Sequence, residues 1–470
     1  MTGLTKARRI ACACAISAAS VAAIAAPSSA SAACGSGTDI HGSGSSLQAN
    51  AQVKYWGENF NKICTSEGKT NEQTSYTSTS SGKGLAAWRS GSAGKIAEFY
   101  KGFGPDVTTG ENAFIGTDLA PNAGQESEIL AGAAASVLTF PTLQAAVALP
   151  IHLPKACTEA TTGKGKTIKH RLAVQSKTIE EIFRGEIKTW KEFIEKEDTV
   201  GKNFDKLVGA GCEETAPISL VVRKEGSGTT NILKKYLDQL VPKGEKIKFG
   251  NGERTWAESA ERNENEEWPE EAHLIKEEKG SGVTSGVAAT EGSIGYANVN
   301  EVRENTHFVP PPTGTGGAST PTFWPEVQLN GTKAGGKYID PATNGEVDAA
   351  ESANCNAVDY ISATGEKYPP ASVESLWTGT TASIKETKAY PICGFTYDLA
   401  VTKYSLVPGV TEPTSAAEVE TVKNYYTYIL SASGQKTDLA KTDFAGLPEG
   451  TKGKNDVLAI AQKGLEKIGF

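Results

Sequence analysis

Arginine, hydroxyl and glycine residues stand close together in the stretch VVRKEGSGTT, residues 221–230. Arg223 comes shortly before the run Ser227-Gly228-Thr229, and an amphipathic helix pattern follows over 231–241. A guanidinium can hold two oxygens of an anion at once, and a helix N-terminus adds unpaired N–H donors and a partial positive charge. The stretch therefore suits an oxyanion. Taken alone, it is also typical of a surface ion pair with Glu225 followed by an ordinary helix N-cap.

Three further turns have related chemistry. HGSGSSLQA (41–49) and YTSTSSGKGL (76–85) place serines and glycines before helix-like segments, where a side chain can cap the helix and the backbone can turn tightly. FIGTDLAP (114–121) presents Asp118 in a turn of small residues, a position that an exposed turn aspartate would also occupy. Several helix N-termini together with an arginine and an aspartate indicate a ligand site more strongly than any one of them.

These turns need a scaffold of alternating strands and helices. Apolar runs predict buried strands over 137–140, 145–151, 218–222, 293–297 and 395–402. Amphipathic patterns predict helices over 231–241, 422–430 and 456–468. The alternation from about residue 70 onward predicts an α/β fold. Two segments, the glutamate-rich 258–278 and the Pro/Gly/Thr-rich 310–322, are interpreted as solvated insertions or loops.

The first residues have the pattern of an export signal. Lys6, Arg8 and Arg9 precede an apolar run over 10–26, and an A-x-A cleavage site ends at Ala32. We therefore expect a signal peptide over 1–32 and a mature protein outside the cytoplasm. The formal net charge of −8 argues against nucleic acid and anionic membranes as partners. A small anion remains compatible, because buried N–H groups act locally.

Six cysteines remain after the predicted cleavage, an even number that suggests three disulfides in an exported chain. Pairing of sequence neighbours gives Cys34–Cys64, Cys157–Cys212 and Cys355–Cys393, although six cysteines allow fifteen pairings. Cys34 also has a second interpretation as a lipid anchor, because Ser31-Ala32-Ala33-Cys34 vaguely resembles a bacterial lipobox. The cysteines and histidines lack zinc-site spacing, so no metal and no cofactor is predicted.

The four turns, in order, resemble those of the periplasmic phosphate-binding proteins of bacterial ABC transporters. GSGSSLQANAQVKYW is similar to their opening Gly-x-Gly-x-[Thr/Ser] turn and YTSTSSGKGL to their Tyr-x-x-x-x-Ser turn, and matching blocks continue to DFAGLPEG. The resemblance implies a two-lobed, type II-like periplasmic-binding-protein fold, with a mixed sheet flanked by helices in each lobe and the ligand in the cleft between lobes. Lobe one would then comprise 33–148 plus 396–470, and lobe two 149–395.

The resemblance also implies the roles of individual residues. Hydroxyl or backbone donors to phosphate would come from the turns, namely from Ser46, Leu47, Ser81, Ser227, Gly228 and Thr229. Arg223 would bind phosphate, with Glu225 as the carboxylate that orients it. Asp118 would accept the proton of hydrogen phosphate and so reject sulfate, which has no proton to give near pH 7. Leu47 replaces an aromatic residue of the family, and Glu225 stands where aspartate is more usual.

The implied function is capture of inorganic phosphate by a monomer and its delivery to an ABC transporter permease, without chemistry on the ligand. Three alternatives remain open: binding of another protonated oxyanion such as arsenate, a secreted phosphatase-like activity, and a surface adhesion role. TTGKGKT (161–167) lacks the first glycine of a phosphate-binding P-loop. SSGK (80–83) lacks the partner motifs of penicillin-interactive enzymes, so a serine hydrolase has little support.

Overall fold

The structure is a computed structural model. The described residues are 34–89, 112–130, 133–154, 158–159, 173–200, 207–208, 216–261, 265–270, 272–305, 307–308, 322–329, 337–342, 353–355, 358–362, 370–385, 388–406, 416–450 and 456–470. The predicted signal peptide (1–32), the Cys157–Cys212 pair and nearly all of the 310–322 segment lie outside these ranges.

Strands and helices alternate over most of the described chain. The α-helices are α1 (Glu58–Ser66), α2 (Ser81–Arg89), α3 (Ala123–Leu130), α4 (Ser176–Arg184), α5 (Trp190–Val200), α6 (Gly228–Asp238), α7 (Trp256–Glu261), α8 (Lys279–Ala289), α9 (Val299–Glu304), α10 (Ala416–Ile429) and α11 (Val457–Gly464). Seven-residue and six-residue π-helices cover Ala51–Gly57 and Ser433–Asp438. Short 3-10 helices cover Tyr404–Leu406, Leu439–Lys441 and Leu465–Lys467.

The strands are β1 (Ile40–Gly44), β2 (Thr74–Ser78), β3 (Asn112–Thr117), β4 (Val137–Ala148), β5 (Ile151–His152), β6 (Thr158–Glu159), β7 (Ala173–Val174), β8 (Leu207–Val208), β9 (Ser219–Arg223), β10 (Ile247–Phe249), β11 (Gly252–Arg254), β12 (Leu274–Glu277), β13 (Ser293–Gly295), β14 (Ala297–Asn298), β15 (Thr322–Phe323), β16 (Glu326–Gln328), β17 (Tyr338–Ile339), β18 (Tyr360–Ile361), β19 (Thr381–Ala382), β20 (Cys393–Val401) and β21 (Phe444–Ala445). Strands and helices together confirm the predicted α/β class.

The first sheet has seven strands in the order β14-β4-β20-β3-β1-β2, with β21 also paired to β4. Strands β1, β2 and β3 are parallel, whereas β20 is antiparallel to both β3 and β4. Helix α10 packs on this sheet through Tyr425 and Tyr426, whose rings lie 5.8 and 5.9 Å from that of Phe114. Because β1, β2 and β3 run the same way, their carboxyl ends meet at one edge of the sheet.

The second sheet has five strands in the order β12-β9-β13-β5-β15. Its three strands β12, β9 and β13 are parallel, so their carboxyl ends also share an edge. The chain passes directly between the two sheets at Tyr296, since Gly295 pairs with β9 and Ala297 pairs with β4. The mixed sheets each carry helices, as the predicted architecture requires.

Strand β4 is longer than the sequence patterns suggest. Two separate runs, 137–140 and 145–151, predict two strands, but one strand of 12 residues covers Val137–Ala148. Pro141 cannot donate a ladder hydrogen bond and favours a break in a strand. The register with β20 shifts between Thr396 and Tyr397, so a bulge accommodates the proline within a continuous strand.

The interpretation of 258–278 as a solvated insertion is wrong for its described residues. Part of it forms helix α7, and Leu274–Glu277 is strand β12, a member of the second sheet. Asn265 and Trp268 are buried, whereas the glutamates at 258, 266 and 270 are exposed. The glutamates on the exposed side give the whole segment a polar composition, so the sequence does not reveal that its other side is buried.

Two of the three predicted disulfides are confirmed: Cys34–Cys64 and Cys355–Cys393. A sulfur in a disulfide is not available for a thioether to a lipid, which favours the disulfide interpretation of Cys34 over the lipid anchor. Across the described ranges, no helix has the length and apolar character needed to span a membrane.

Candidate functional site

The carboxyl-end edges of the two parallel strand sets meet, and the four predicted turns lie where they meet. Strands β1, β2 and β3 lead into the turns that contain Ser45, Ser81 and Asp118. Strand β9 ends at Arg223 and is followed by the turn to helix α6. The Gly82 N–H donates to the Gly226 carbonyl at 3.2 Å, so turns from the two sheets are in direct contact. Such an edge is where ligands bind in open α/β sheets.

Asp118 lies among the site turns that follow strands of the first sheet, and it is only 5% exposed. Its Oδ1 accepts the Ser45 hydroxyl at 2.5 Å, and its Oδ2 accepts the Ser81 hydroxyl at 3.0 Å. The Asp118 N–H in turn donates to the Ser81 oxygen at 3.1 Å. The two serine turns are therefore tied to one carboxylate.

Burial raises the pKa of Asp118 to about 6. The Ser45 and Ser81 hydroxyls and the positive charge of Arg223 oppose this rise, because they stabilise the ionised form. Near neutral pH the group is thus a carboxylate that accepts hydrogen bonds, but it lies close to the pH at which it takes up a proton. A carboxyl group with these properties can share a proton with a bound oxyanion.

Glycines allow the backbone to approach closely at two places in the site. A Cβ on Gly44 would lie 2.0 Å from the Gly116 carbonyl oxygen, so β1 and β3 can meet only without a side chain there. A Cβ on Gly228 would lie 2.3 Å from the Asp118 Cβ and 2.6 Å from its Oδ2. The N-terminus of helix α6 therefore lies directly against Asp118. This contact joins the predicted discriminating carboxylate to the Ser227–Thr229 turn.

Helix α6 begins with a capped first turn. Ser227 is the N-cap, and its hydroxyl oxygen accepts the Thr230 N–H at 3.3 Å. The hydroxyl of Thr229 is buried, with the residue 1% exposed, and it has no hydrogen-bond partner among the described residues. A buried hydroxyl without a partner costs about 1–3 kcal/mol, so this group is suited to a ligand in the cleft.

Arg223 is 2% exposed and forms an ion pair with Glu225. The Arg223 Nε donates to Glu225 Oε1 at 2.8 Å, and Nη2 contacts the same oxygen. The Lys279 N–H, at the start of helix α8, donates to the same Glu225 oxygen at 2.9 Å and so helps to fix the carboxylate. The Tyr296 hydroxyl accepts the Arg223 N–H at 3.1 Å. The guanidinium is therefore held through the Glu225 carboxylate, and the Arg223 backbone is held by Tyr296.

The turn after β1 adds Ser45 to the residues that the resemblance implies. The Ser45 hydroxyl reaches Asp118. The Leu47 N–H donates to the Ser45 oxygen at 3.1 Å, and the Leu47 carbonyl accepts from Asn298 at 2.9 Å. Ser46 is buried next to them. Sequence reasoning missed Ser45, since two adjacent serines follow Gly44 and nothing local separates them.

A narrow crevice leads to Asp118. Its walls come from helix α6, strand β20 and the segment before β19, and include Asn231, Lys235, Trp377 and Tyr397. The cavity volume is about 10 Å³, which is room for about one water molecule. No group of three metal-ligating side chains is found in the described part of the chain.

Comparison with known proteins identifies the family. The family model described as "PBP superfamily domain" matches residues 26–433. No curated protein sequence matches the chain. A phosphate binding protein from Stenotrophomonas maltophilia is 16% identical, with a TM-score of 0.51 over 92% of this chain and 91% of that chain.

Two further solved structures are similar at comparable levels. The periplasmic phosphate-binding protein PfluDING, bound with phosphate, is 18% identical, with a TM-score of 0.51 over 92% of this chain and 99% of that one. The ancestral soluble variant of the Human Phosphate Binding Protein is 20% identical, with a TM-score of 0.53 over 87% and 91% of the two chains. At these identities the likeness shows the fold, which is the predicted two-lobed binding-protein fold.

Proposed function

The chain belongs to the PBP superfamily, and on that premise we propose that it binds inorganic phosphate outside the cytoplasm for delivery to an ABC importer. The observation that carries the proposal is the contact of Asp118 with the N-terminus of helix α6 at Gly228. A carboxylate and a helix N-terminus can both contact one ligand oxygen only if that oxygen carries a proton. The names of the structural neighbours, which are phosphate-binding proteins, support the same choice.

The remaining polar groups suit a doubly charged tetrahedral anion. Arg223 supplies the positive charge, and Glu225 keeps its guanidinium in place through the 2.8 Å hydrogen bond to Nε. The N-terminus of helix α6 supplies N–H donors, and the Thr229 hydroxyl is free of partners among the described residues. The proposed set also includes Ser81, Ser46 and Leu47. To bind the anion, the Ser81 hydroxyl would exchange its bond to Asp118 for one to the ligand, and the Leu47 N–H would likewise exchange its bond to the Ser45 oxygen.

The division into two lobes provides the mechanism. We place lobe one at 33–148 plus 396–470 and lobe two at 149–395, with β14 and α9 returning to contact lobe one. Asp118 and Ser81 then lie on lobe one, and Arg223 with the Ser227–Thr229 turn on lobe two. A ligand held by both lobes stabilises the closed form by its differential contacts, and a permease can recognise that form.

The proposal of binding without chemistry on the ligand rests on the relatives. The relatives by family and fold are binding proteins. We therefore propose binding by a monomer without catalysis, with arsenate, a phosphatase-like activity and an adhesion role as the alternatives that an experiment must exclude.

The cellular location follows from two features. The predicted signal peptide over 1–32 would direct export, and the disulfides Cys34–Cys64 and Cys355–Cys393 are typical of an oxidising compartment. Lipidation of Cys34 would require the first disulfide to be absent.

Calorimetric titration of the purified mature protein tests the proposal. We expect phosphate to bind with a dissociation constant of about 1 μM or below, a binding free energy of about −8 kcal/mol or stronger. Sulfate at millimolar concentration should produce no heat of binding. Arsenate, which also carries a proton near neutral pH, is the matched anion that measures selectivity. Absence of phosphate binding would refute the proposal, and turnover of a chromogenic phosphate ester would favour the phosphatase alternative.

A further inference from the structure

The segment 258–278 makes buried polar contacts with the phosphate-site turn. Asn265 is fully buried and has a left-handed backbone conformation, with φ of 63°. Its Oδ1 accepts the Ser227 N–H at 3.2 Å, and its Nδ2 donates to the Ser227 carbonyl at 2.8 Å. One side chain therefore holds both backbone groups of the helix N-cap. Asparagine tolerates the left-handed conformation better than most residues do.

Lys234 fixes Asn265 from the other side. It lies on helix α6, is fully buried, and donates from Nζ to the Asn265 carbonyl at 2.9 Å. The same amine contacts the Ser259 hydroxyl at 2.9 Å and the Glu267 carbonyl at 2.5 Å. It also lies 4.6 Å from the ring centre of Trp268. Burial, together with the nearby positive charges of Arg254 and Lys276, lowers the pKa of Lys234 well below its ordinary value.

These contacts form a closed loop of interactions. The helix that begins at Gly228 carries Lys234, Lys234 holds the backbone of Asn265, and Asn265 holds the residue just before Gly228. The Ser227 N–H is already used within this loop. The donors left for a ligand are the Ser227 hydroxyl hydrogen, the Gly228 and Thr229 N–H groups and the Thr229 hydroxyl. Their directions depend on the conformation of the Ser227 turn.

We propose that Asn265, anchored by Lys234, is a positioning residue for the anion site: it fixes the Ser227 turn so that the first turn of helix α6 presents its donors opposite Asp118. This inference rests on the proposed function and extends it. It gives the buried part of the 258–278 segment a role in binding, whereas the exposed Glu258 and Glu270 form surface ion pairs.

Asn265→Gly is the sharpest test. Glycine adopts the left-handed conformation without strain, so the variant keeps the backbone and removes both hydrogen bonds to Ser227. We expect phosphate affinity, measured by calorimetry, to fall about tenfold, with most of the change in the dissociation rate. The control is Glu270→Gln in the same segment, which removes a surface ion pair with Lys248 and should leave the affinity unchanged.

Hydrogen exchange separates positioning from general stability. Amides of peptides covering 227–231 should exchange faster in Asn265→Gly, whereas those of strand β4 should keep their parental protection. If the parent binds phosphate and Asn265→Gly binds it with the same affinity, the inference is overturned. If the parent itself binds no phosphate, the proposed function fails. Hydrogen exchange then decides the inference alone, and unchanged protection of residues 227–231 in Asn265→Gly would overturn the inference as well.

Discussion

Gly228→Ala is expected to prevent closure of the cleft on the anion. The added Cβ would lie 2.3 Å from the Asp118 Cβ and 2.6 Å from its Oδ2. Carbon atoms in contact need about 3.5–4.0 Å, so helix α6 and Asp118 must separate by roughly 1.2 Å or more. The new Cβ would also lie 2.7 Å from the carbonyl carbon of Asp118, so it meets the Asp118 backbone as well as the side chain. A change of rotamer alone cannot relieve the contact.

The separation can be converted into an affinity. A hydrogen bond of about 2.9 Å that is lengthened by roughly 1.2 Å no longer meets the geometric limit for such a bond. If an oxyanion held between Asp118 and helix α6 loses two charge-assisted bonds of about 1.5 kcal/mol each, the loss is about 3 kcal/mol. That corresponds to an affinity roughly 100-fold lower. Alanine suits a helix better than glycine, so the ligand-free variant should be as stable as the parent.

Calorimetry with phosphate measures this loss, and small-angle scattering measures closure as the change in radius of gyration on adding phosphate. Gly282→Ala is the matched control, because its new Cβ would meet the Glu277 Cβ at 3.5 Å, an ordinary contact within the same lobe. We expect the control to bind and close as the parent does. Binding by Gly228→Ala within threefold of the parent would refute the reasoning that the cleft closes at this contact.

Two further substitutions test the buried carboxylates. Asp118→Asn should lower the preference for phosphate over sulfate by at least about tenfold in competitive calorimetry, because the amide cannot repel an unprotonated oxyanion. In the parent, the same preference should weaken below the Asp118 pKa of about 6. An unchanged preference in the variant would contradict the proton-acceptor role of Asp118. Burial raises the pKa of Asp398 to about 7, so the folded state holds more protons than the unfolded state between about pH 4 and 7, and stability is lost as the pH rises through that window. Asp398→Asn should therefore gain about 2–4 kcal/mol more stability at pH 8 than at pH 4 in denaturant titrations, and a gain independent of pH would exclude this explanation.

The positions of the site turns could be predicted from the sequence because each is a local pattern. Glycine and hydroxyl residues often stand where a strand ends and a helix begins. Arg223 ends a strand that is a clear apolar run, whereas the strand before Asp118, NAFIGT, is not among the predicted strands. The two short-range disulfides were predictable for a similar reason. In each case the chain neighbours determine the structure, so the order of residues is enough.

The choice between adjacent residues depends on the three-dimensional packing. Ser45 reaches Asp118 because Gly44 has φ of 133° and lies against Gly116, which turns the next residue toward the neighbouring strand. The run Gly-Ser-Ser does not indicate which of the two serines the backbone directs toward the neighbouring strand. Asn265 was hidden for another reason: it stands among glutamates, and its contacts are with residues more than 30 positions away. The buried Trp268 in an acidic segment is the one local signal that could have revealed it.

The charges of the site explain how an acidic protein can bind an anion. Arg223 is already paired with Glu225, and Asp118 adds a further negative charge to the pocket, so the described ionised groups do not sum to an attractive net charge. Attraction then comes from the Arg223 guanidinium at short range, although Glu225 offsets its net charge, and from the oriented dipoles of the helix α6 N-terminus and the Thr229 hydroxyl. Such dipoles act over a few ångströms, and the chain's overall charge of −8 is screened beyond about 10 Å. A site built in this way gives up long-range attraction and gains discrimination, because Asp118 accepts only an oxyanion that brings its own proton.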